Sequence, residues 1–432
     1  MATKPDPVLY PISIIGGGLV GKVATLELAS RLNEFGLDDG QKIALIAPRP
    51  ETKDKRTTAM LMPAIEMYRR LNIWDQILPL TAPLKTMRLI DGSKRLMRAP
   101  VTDFRSSEID LEAFGYNVPN ADMLAALNVA IAESQHIDLF ESFAEVETID
   151  AQNACLRLDD GTQITSQLLV AADGHQSTTR KAAGIAVNQW SYPQTAIVLN
   201  FTHSLPHAGV SAEFHTETGP FTQVPLPPTK SASHRSSLVW LVSPGDVDKL
   251  VTMPKEEISN LIEEKLQSSY GKCWVEGSPV AIPMRGMTAK QFGARRTVLI
   301  GESGHIFPPI GAQGFNLGMR DLRDLVAVLT ARQGDLGRAD VTSAFDTKRQ
   351  FDVKARTAGV DTMNRSLLTN FLPVQFLRAT GLSTLGAVPA ARKIAMWQGL
   401  GMESNIPSVF SGPGKDLLEG FRLRSGKAAR SR

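Results

Sequence analysis

Pro11-Ile12-Ser13-Ile14-Ile15-Gly16-Gly17-Gly18-Leu19-Val20-Gly21-Lys22 stands near the start of the chain. An apolar run enters a glycine turn, and Val23, Leu26 and Leu28 then supply an apolar face at helical spacing, so the stretch predicts strand, tight turn, helix. A second apolar run, Ile43-Ala44-Leu45-Ile46, follows a polar glycine-containing loop and completes a β-α-β unit, which favours a parallel sheet. In the spacing Gly16-x-Gly18-x-x-Gly21, the first glycine permits the turn. The second lets backbone approach a pyrophosphate, and the third packs helix on strand. Backbone N–H groups and the positive helix end would then face phosphates; the competing reading is a glycine turn with no ligand. A dinucleotide fingerprint also expects an acid at the end of the second strand, but here that strand ends Ile46-Ala47-Pro48-Arg49. Arg49 reads either as a partner for a 2′-phosphate or as a solvated surface cation.

Moving outward, Ala59 to Ile77 reads as one helix, with Met60, Ala64, Met67, Leu71 and Trp74 on its apolar face, and Asp122 to Ile131 reads as another. Strands alternate from Glu145 to Val170 around the turn Asp159-Asp160-Gly161. Separated strands then follow at Ala196–Phe201, Ser211–His215, Phe221–Leu226, Ser237–Val242 and Val280–Met284, interrupted by a helix at Lys255–Gln267. Their hairpin spacing predicts an inserted, mainly antiparallel sheet. A buried strand returns at Thr297–Ile300, then a Gly/Pro-rich loop through Gly314 and a helix from Phe315 to Ala331. Phe345 to Leu400 is helical in pattern, broken at Pro373 and Pro389. Its uncharged stretch Ser366 to Leu377 is either a packed helix or an exposed apolar ridge.

Composition narrows the function classes. The chain has 432 residues, 43% hydrophobic and 21% charged, which is ordinary globular usage and enough for two or three structural units. The net charge is +3, yet Arg422, Arg424, Lys427, Arg430 and Arg432 close the chain with no acid after Glu419. A nearly neutral body with a basic tail argues against a nucleic-acid surface, which needs cations clustered along a face. Cys155 and Cys273 form no C-x-x-C pair, so a disulfide framework, a cysteine zinc cluster and a covalent haem site have no support. The opening residues lack the pattern of a secretory signal, and the expected setting is cytoplasmic.

Two further segments add chemistry to the N-terminal glycines. Leu169-Val170-Ala171-Ala172-Asp173-Gly174-His175-Gln176-Ser177 is one. The other is Val298-Leu299-Ile300-Gly301-Glu302-Ser303-Gly304-His305 with Pro308-Pro309-Ile310-Gly311-Ala312-Gln313-Gly314-Phe315-Asn316. The three motifs, in this order, resemble the signatures of the class A flavin monooxygenases. Across most of the chain the sequence is similar to the ubiquinone-biosynthesis hydroxylases of UbiH/COQ6 type. Asp54-Lys55-Arg56-Thr57-Thr58-Ala59, Phe114 to Asn120, Asp361 to Arg365 and Gly381-Leu382 carry the same resemblance.

The resemblance implies an α/β fold: an FAD-binding Rossmann-like domain, an inserted mainly antiparallel substrate sheet and a helical C-terminal region. The FAD-binding parts are expected at 1–75, 115–185 and 286–350, substrate-domain parts at 76–114 and 186–285, and the helical region with its basic tail at 351–432. Carried onto this sequence, Gly16, Gly18 and Gly21 would seat the FAD pyrophosphate, and Arg56 would sit near the cofactor. Asp173 and Gly174 would serve FAD and also the reductant, NADPH or NADH. Gly301 and Glu302 would stand by the ribityl chain, with Glu302 where many relatives have Asp. Gly311, Gly314 and Asn316 belong to the last motif, where a glycine loop leading into a helix aims N–H donors at whatever sits there.

The resemblance further implies hydroxylation of a polyprenylated phenol or quinol with NAD(P)H and O2 reacting at flavin C4a. It makes other ubiquinone-biosynthesis enzymes candidate partners and peripheral contact with the inner membrane an expectation. Phe214, Phe221, Val224, Leu226 and Trp240 read either as the lining of an apolar substrate cleft or as strand core. The alternatives are a hydroxylase of a small soluble aromatic, a flavin reductase of isoprenoid double bonds, and a noncatalytic flavin-binding scaffold. His305 reads as a hydrogen-bonded structural residue. His203, His207 and His215 lack metal-ligand spacing, with strand surface polarity as their explanation. No metal site and no protein catalytic base are identified.

Overall fold

A computed structural model describes residues 8–38, 40–49, 54, 56–92, 100–308, 313–368 and 387–400 of the chain. Five parallel strands form the centre of the first sheet in the order Thr297–Leu299, Gln163–Ala171, Val8–Ile15, Ile43–Ile46, Ile137–Phe140. The register pairs Ile15 with Ala171 and Ile46, Ile46 with Phe140, and Ala171 with Leu299, so the carboxyl ends stop level with one another. Ile12, Ile14, Leu45 and Val170 pack against apolar side chains of helices Leu19–Ala29, Asn120–Glu133 and Gln313–Thr330. The opposite face packs Ala44, Ile46 and Leu169 on Leu156 and Leu158 of an antiparallel strand. Burial on both faces explains why Ile43-Ala44-Leu45-Ile46 shows no polar alternation.

The second sheet has eight strands, and its core runs antiparallel through Cys273–Ala289, Val187–His203, Arg235–Val242, Gly219–Leu226 and Val210–Thr216. Thr86–Asp91 joins its far side in parallel with Val210–Thr216. The short strand His305–Ile306, six residues beyond Thr297–Leu299 of the first sheet, pairs with Met287 and Thr288 and ties the two sheets together. The mixed α/β architecture with an inserted, mainly antiparallel sheet follows the sequence expectation.

Two readings are corrected, the first and third below, and one alternative left open is decided. Ala59 to Ile77 is not one helix: Thr57–Leu61 is a strand paired antiparallel with Gly115–Pro119, and the helix runs Met62–Arg70. Pro63 has no N–H to donate, which suits a first helical turn and not an interior. Asn72, at φ +56°, then interrupts the chain before the short helix Trp74–Ile77. Second, Phe214, Phe221 and Trp240 form core with Ile258 and Ile262 of helix Lys255–Lys265, and Leu226 is buried as well. They fill the core of the second sheet. Third, His203 and His215 are buried, so strand surface polarity does not explain them; His203 Nε2 lies 2.9 Å from Ser236 Oγ, and His215 Nε2 is 2.9 Å from Glu213.

At the C-terminal end, helices Ala339–Leu368 and Pro389–Leu400 are present, and Pro389 opens its helix where a break was expected. Residues 369–377 of the uncharged stretch, Pro373 among them, and the basic tail lie outside the described residues. Among the described residues no helix is long and apolar enough to cross a membrane.

Candidate cofactor site

Ile15, Ile46, Ala172 and Ile300 stand at, or one residue beyond, the ends of four parallel strands, and all four line one cavity of about 680 Å³. Open α/β sheets bind ligands in this crevice beyond the strand ends, and the volume suits a small-molecule ligand. The glycine turn is shaped by close packing at two of its positions. Gly16 has φ +124°, and a Cβ there would meet Ala172 O at 2.2 Å; a Cβ at Gly21 would meet Gly16 O at 2.0 Å. Gly18 differs, because a Cβ there would meet nothing within 4 Å. Protein packing leaves Gly18 open, and the space a side chain would fill belongs to the cavity. The helix Leu19–Ala29 starts at Gly18 with no side-chain cap, so its first-turn N–H groups remain available to an anion.

Asp173 forms another part of the wall. Its Oδ2 accepts from the Thr179 N–H at 3.1 Å and the Thr179 hydroxyl at 3.0 Å, holding the start of helix Thr178–Ala182. Its Oδ1 is buried and has no partner, and a buried acceptor at a cavity wall calls for a donor. A ligand hydroxyl meets that demand. The site therefore fits a phosphate-bearing group with a polyhydroxyl chain: open backbone around Gly18, helix N–H donors, and an orphaned carboxylate oxygen.

A polar chain borders the same space. Arg56 donates to both oxygens of Asp54, at 2.9 and 2.8 Å, while Asn120 donates through Nδ2 to Asp54 at 2.9 Å and accepts at Oδ1 from the Thr58 hydroxyl at 2.7 Å. Burial alone would raise the Asp54 carboxyl, but the hydrogen bonds from Arg56 and Asn120 outweigh it and bring its pKa down to about 2. Arg56 is held charged, chiefly by Asp54, with Glu302 adding to the effect.

Behind Glu302, the Gly301 N–H donates to Asp321 at 2.8 Å, and Asp321 also meets His305 Nε2 and Arg349 Nε, each at 2.7 Å. Asp321 and Arg349 are completely buried and His305 almost so. His305 is thus occupied structurally, as its sequence setting suggests.

Gly16, Gly18, Gly21, Arg56, Asp173, Gly174, Gly301, Glu302 and Gly314 all line the one cavity. Asn316 has a different position: its amide donates to Ala59 O at 2.8 Å and accepts from Leu61 N at 2.9 Å, fastening helix Gln313–Thr330 to strand Thr57–Leu61. Gly311 lies outside the described residues. Arg49 is mostly exposed and pairs with Glu141 at 2.6 Å, the arrangement of a surface cation. Sequence reasoning assigns nothing to Asp54, Asn120 and Asp321. The first two stand inside quoted motif segments, and Asp321 is an acid on the helix that carries Leu317, Leu322 and Leu325 into the core.

Comparison with known proteins adds the family context. The family described as FAD binding domain matches residues 10–357. The chain is 27% identical to ubiquinone hydroxylase UbiL of Rhodospirillum rubrum, covering 90% of this chain and 89% of that protein. It is 26% identical to 3-demethoxyubiquinol 3-hydroxylase of Escherichia coli, over 90% and 98%. Among solved structures, p-nitrophenol 4-monooxygenase PnpA of Pseudomonas putida shares the fold with a TM-score of 0.71 at 15% identity, covering 91% of this chain and 98% of that one.

Proposed function

The chain belongs to the FAD-binding-domain family, and from that premise we propose that it is an FAD-dependent hydroxylase of ubiquinone biosynthesis. Its substrate would be the aromatic ring of a polyprenylated phenol or quinol. The reaction takes NAD(P)H, a proton, O2 and a ring C–H to NAD(P)+, water and a ring C–OH. One observation carries the reading: relatives named as ubiquinone hydroxylases align with about nine-tenths of this chain along nearly all of their own length.

FAD, when bound, supplies the redox and oxygen chemistry. The chain's own residues position it. The turn Gly16 to Gly21 would take the pyrophosphate on first-turn N–H groups, and Asp173 Oδ1 would accept from a cofactor hydroxyl. Glu302, next to Gly301, would accept from the ribityl chain, and Arg56, kept charged by Asp54, would place positive charge at the wall. Asp321 would hold the Gly301 turn in place from behind. A prenylated substrate resides in the bilayer, so the reading includes peripheral contact with the cytoplasmic face of a membrane and proximity to other enzymes of the pathway.

A small soluble aromatic acid is the competing substrate class. It calls for an uncommitted cation, whereas Arg56 on the cavity wall is engaged bidentately by Asp54. The test uses the purified holoenzyme. Prenylated phenols or quinols should stimulate NAD(P)H oxidation and oxygen uptake, and 18O2 should label the ring hydroxyl by mass spectrometry. Failure to bind FAD on reconstitution would overturn the reading, as would turnover of small aromatic acids with none of prenylated substrates.

A further inference from the structure

The cofactor cavity crosses the carboxyl ends of the five parallel strands, from Glu302 beyond Thr297–Leu299 at one edge to Ser142 and Phe143 beyond Ile137–Phe140 at the other. The glycine turn stands between them, at the end of Val8–Ile15 and two strands from the Phe143 edge. Neighbouring strands lie about 4.8 Å apart, so about 10 Å separates the phosphate-binding turn from that edge. A nucleoside reaches this far from its phosphate. With the ribityl chain toward Glu302, the adenosine half of a dinucleotide is left the end lined by Phe143.

That end lacks the usual polar anchor. Ala47, just past Ile43–Ile46, packs on the glycine turn, where a Cβ at Gly17 would meet the Ala47 Cβ at 2.7 Å. Its side chain has no acceptor, although a dinucleotide fingerprint expects an acid there for the ribose. Glu141, on the neighbouring strand, is engaged by Arg49 at 2.6 Å. What this end offers instead is an aromatic ring. Phe143 is 66% exposed although large and apolar, and it lines the cavity, with Pro48 and Leu124 adding apolar surface to the same wall. Its backbone is pinned: the Phe143 N–H donates to Asp159 at 3.1 Å, and the Asp159 N–H donates to Ser142 Oγ at 3.1 Å. The hairpin turn at Asp159 thus holds the loop, and a ring fixed in this way meets a flat partner at little cost in ordering.

On the reading of the cavity as an FAD site, on which this rests, we propose that Phe143 is the adenine-binding residue, its ring stacking on the base. Every nucleobase has a π face, and stacking on an aromatic side chain contributes binding without a hydrogen-bonded anchor. Covering the exposed ring also removes apolar surface from water. Phe143 thereby takes the share of adenosine binding that Ala47 cannot supply, and it makes the site favour FAD over flavin mononucleotide.

The test titrates full-length apoprotein calorimetrically with FAD and with flavin mononucleotide, which has the flavin, ribityl chain and a phosphate but no adenine. F143A should bind FAD about tenfold or more weakly than wild type does. F143Y, which keeps the π face, should bind FAD as wild type does, and the affinity for flavin mononucleotide should be the same in all three. The exposure of Phe143 means that F143A should fold, which an unchanged thermal melt verifies. Unchanged FAD affinity in F143A, an equal loss of affinity for flavin mononucleotide, or a loss in F143Y as large as in F143A overturns the proposal and leaves the flavin site standing. Wild-type apoprotein that takes up no FAD overturns the cofactor reading and the proposal with it.

Discussion

Gly18 and Gly21 belong to one motif, yet different neighbours constrain them. At Gly21 a Cβ collides with the Gly16 carbonyl, while at Gly18 it projects into the cavity. G21A should therefore cost at least about 2 kcal/mol of stability in urea unfolding of the apoprotein. G18A, at an ordinary φ of −72°, should leave that curve in place and weaken FAD binding, read by quenching of flavin fluorescence. Asp54 gives a pH prediction. Its folded pKa of about 2 lies below the unfolded value of about 3.9. Its contribution is thus complete above the unfolded pKa and is lost as pH falls through the folded one. The side chain is 21% exposed, so D54N should remove only about 1 kcal/mol at pH 7 and flatten the stability loss between about pH 4 and 2, followed by urea unfolding across that range.

At the level of elements, the Asn316 side chain fastens helix Gln313–Thr330 to strand Thr57–Leu61. N316A breaks both amide contacts to the strand and should cost about 1–3 kcal/mol, measured by thermal unfolding. D321N reaches deeper, since Asp321 holds Gly301 and faces the completely buried Arg349. Weakening that partner of a buried cation should cost about 3–5 kcal/mol in urea unfolding. Elements read correctly from sequence were those with an unmixed period, such as Lys255–Lys265. The strand residues Ala59 to Leu61 read as helix because Met60 also falls on the helical stripe continued by Ala64 and Met67, and the strand's real partner, Gly115–Pro119, is more than fifty residues away.

Across the whole molecule, the two sheets have separate cores, and the aromatic cluster of the second is remote in packing from the cofactor cavity. W240A should lower stability by about 3–5 kcal/mol while the folded fraction keeps the wild-type flavin absorbance per molecule. A loss of bound flavin without a loss of stability would return Trp240 to a ligand-facing role.

The cofactor motifs were legible because a phosphate-binding turn constrains backbone conformation over a few consecutive residues, and glycine spacing records that constraint directly. The polar support around them was not, because Asp54, Asn120 and Asp321 matter only through partners brought close by folding. Local order in the chain settled the turn, the parallel sheet and the flavin family. Which charges ended up facing one another, which aromatics filled a core and where the cofactor cavity opened were decided by tertiary packing, since electrostatics and burial act through space and leave no period along the sequence.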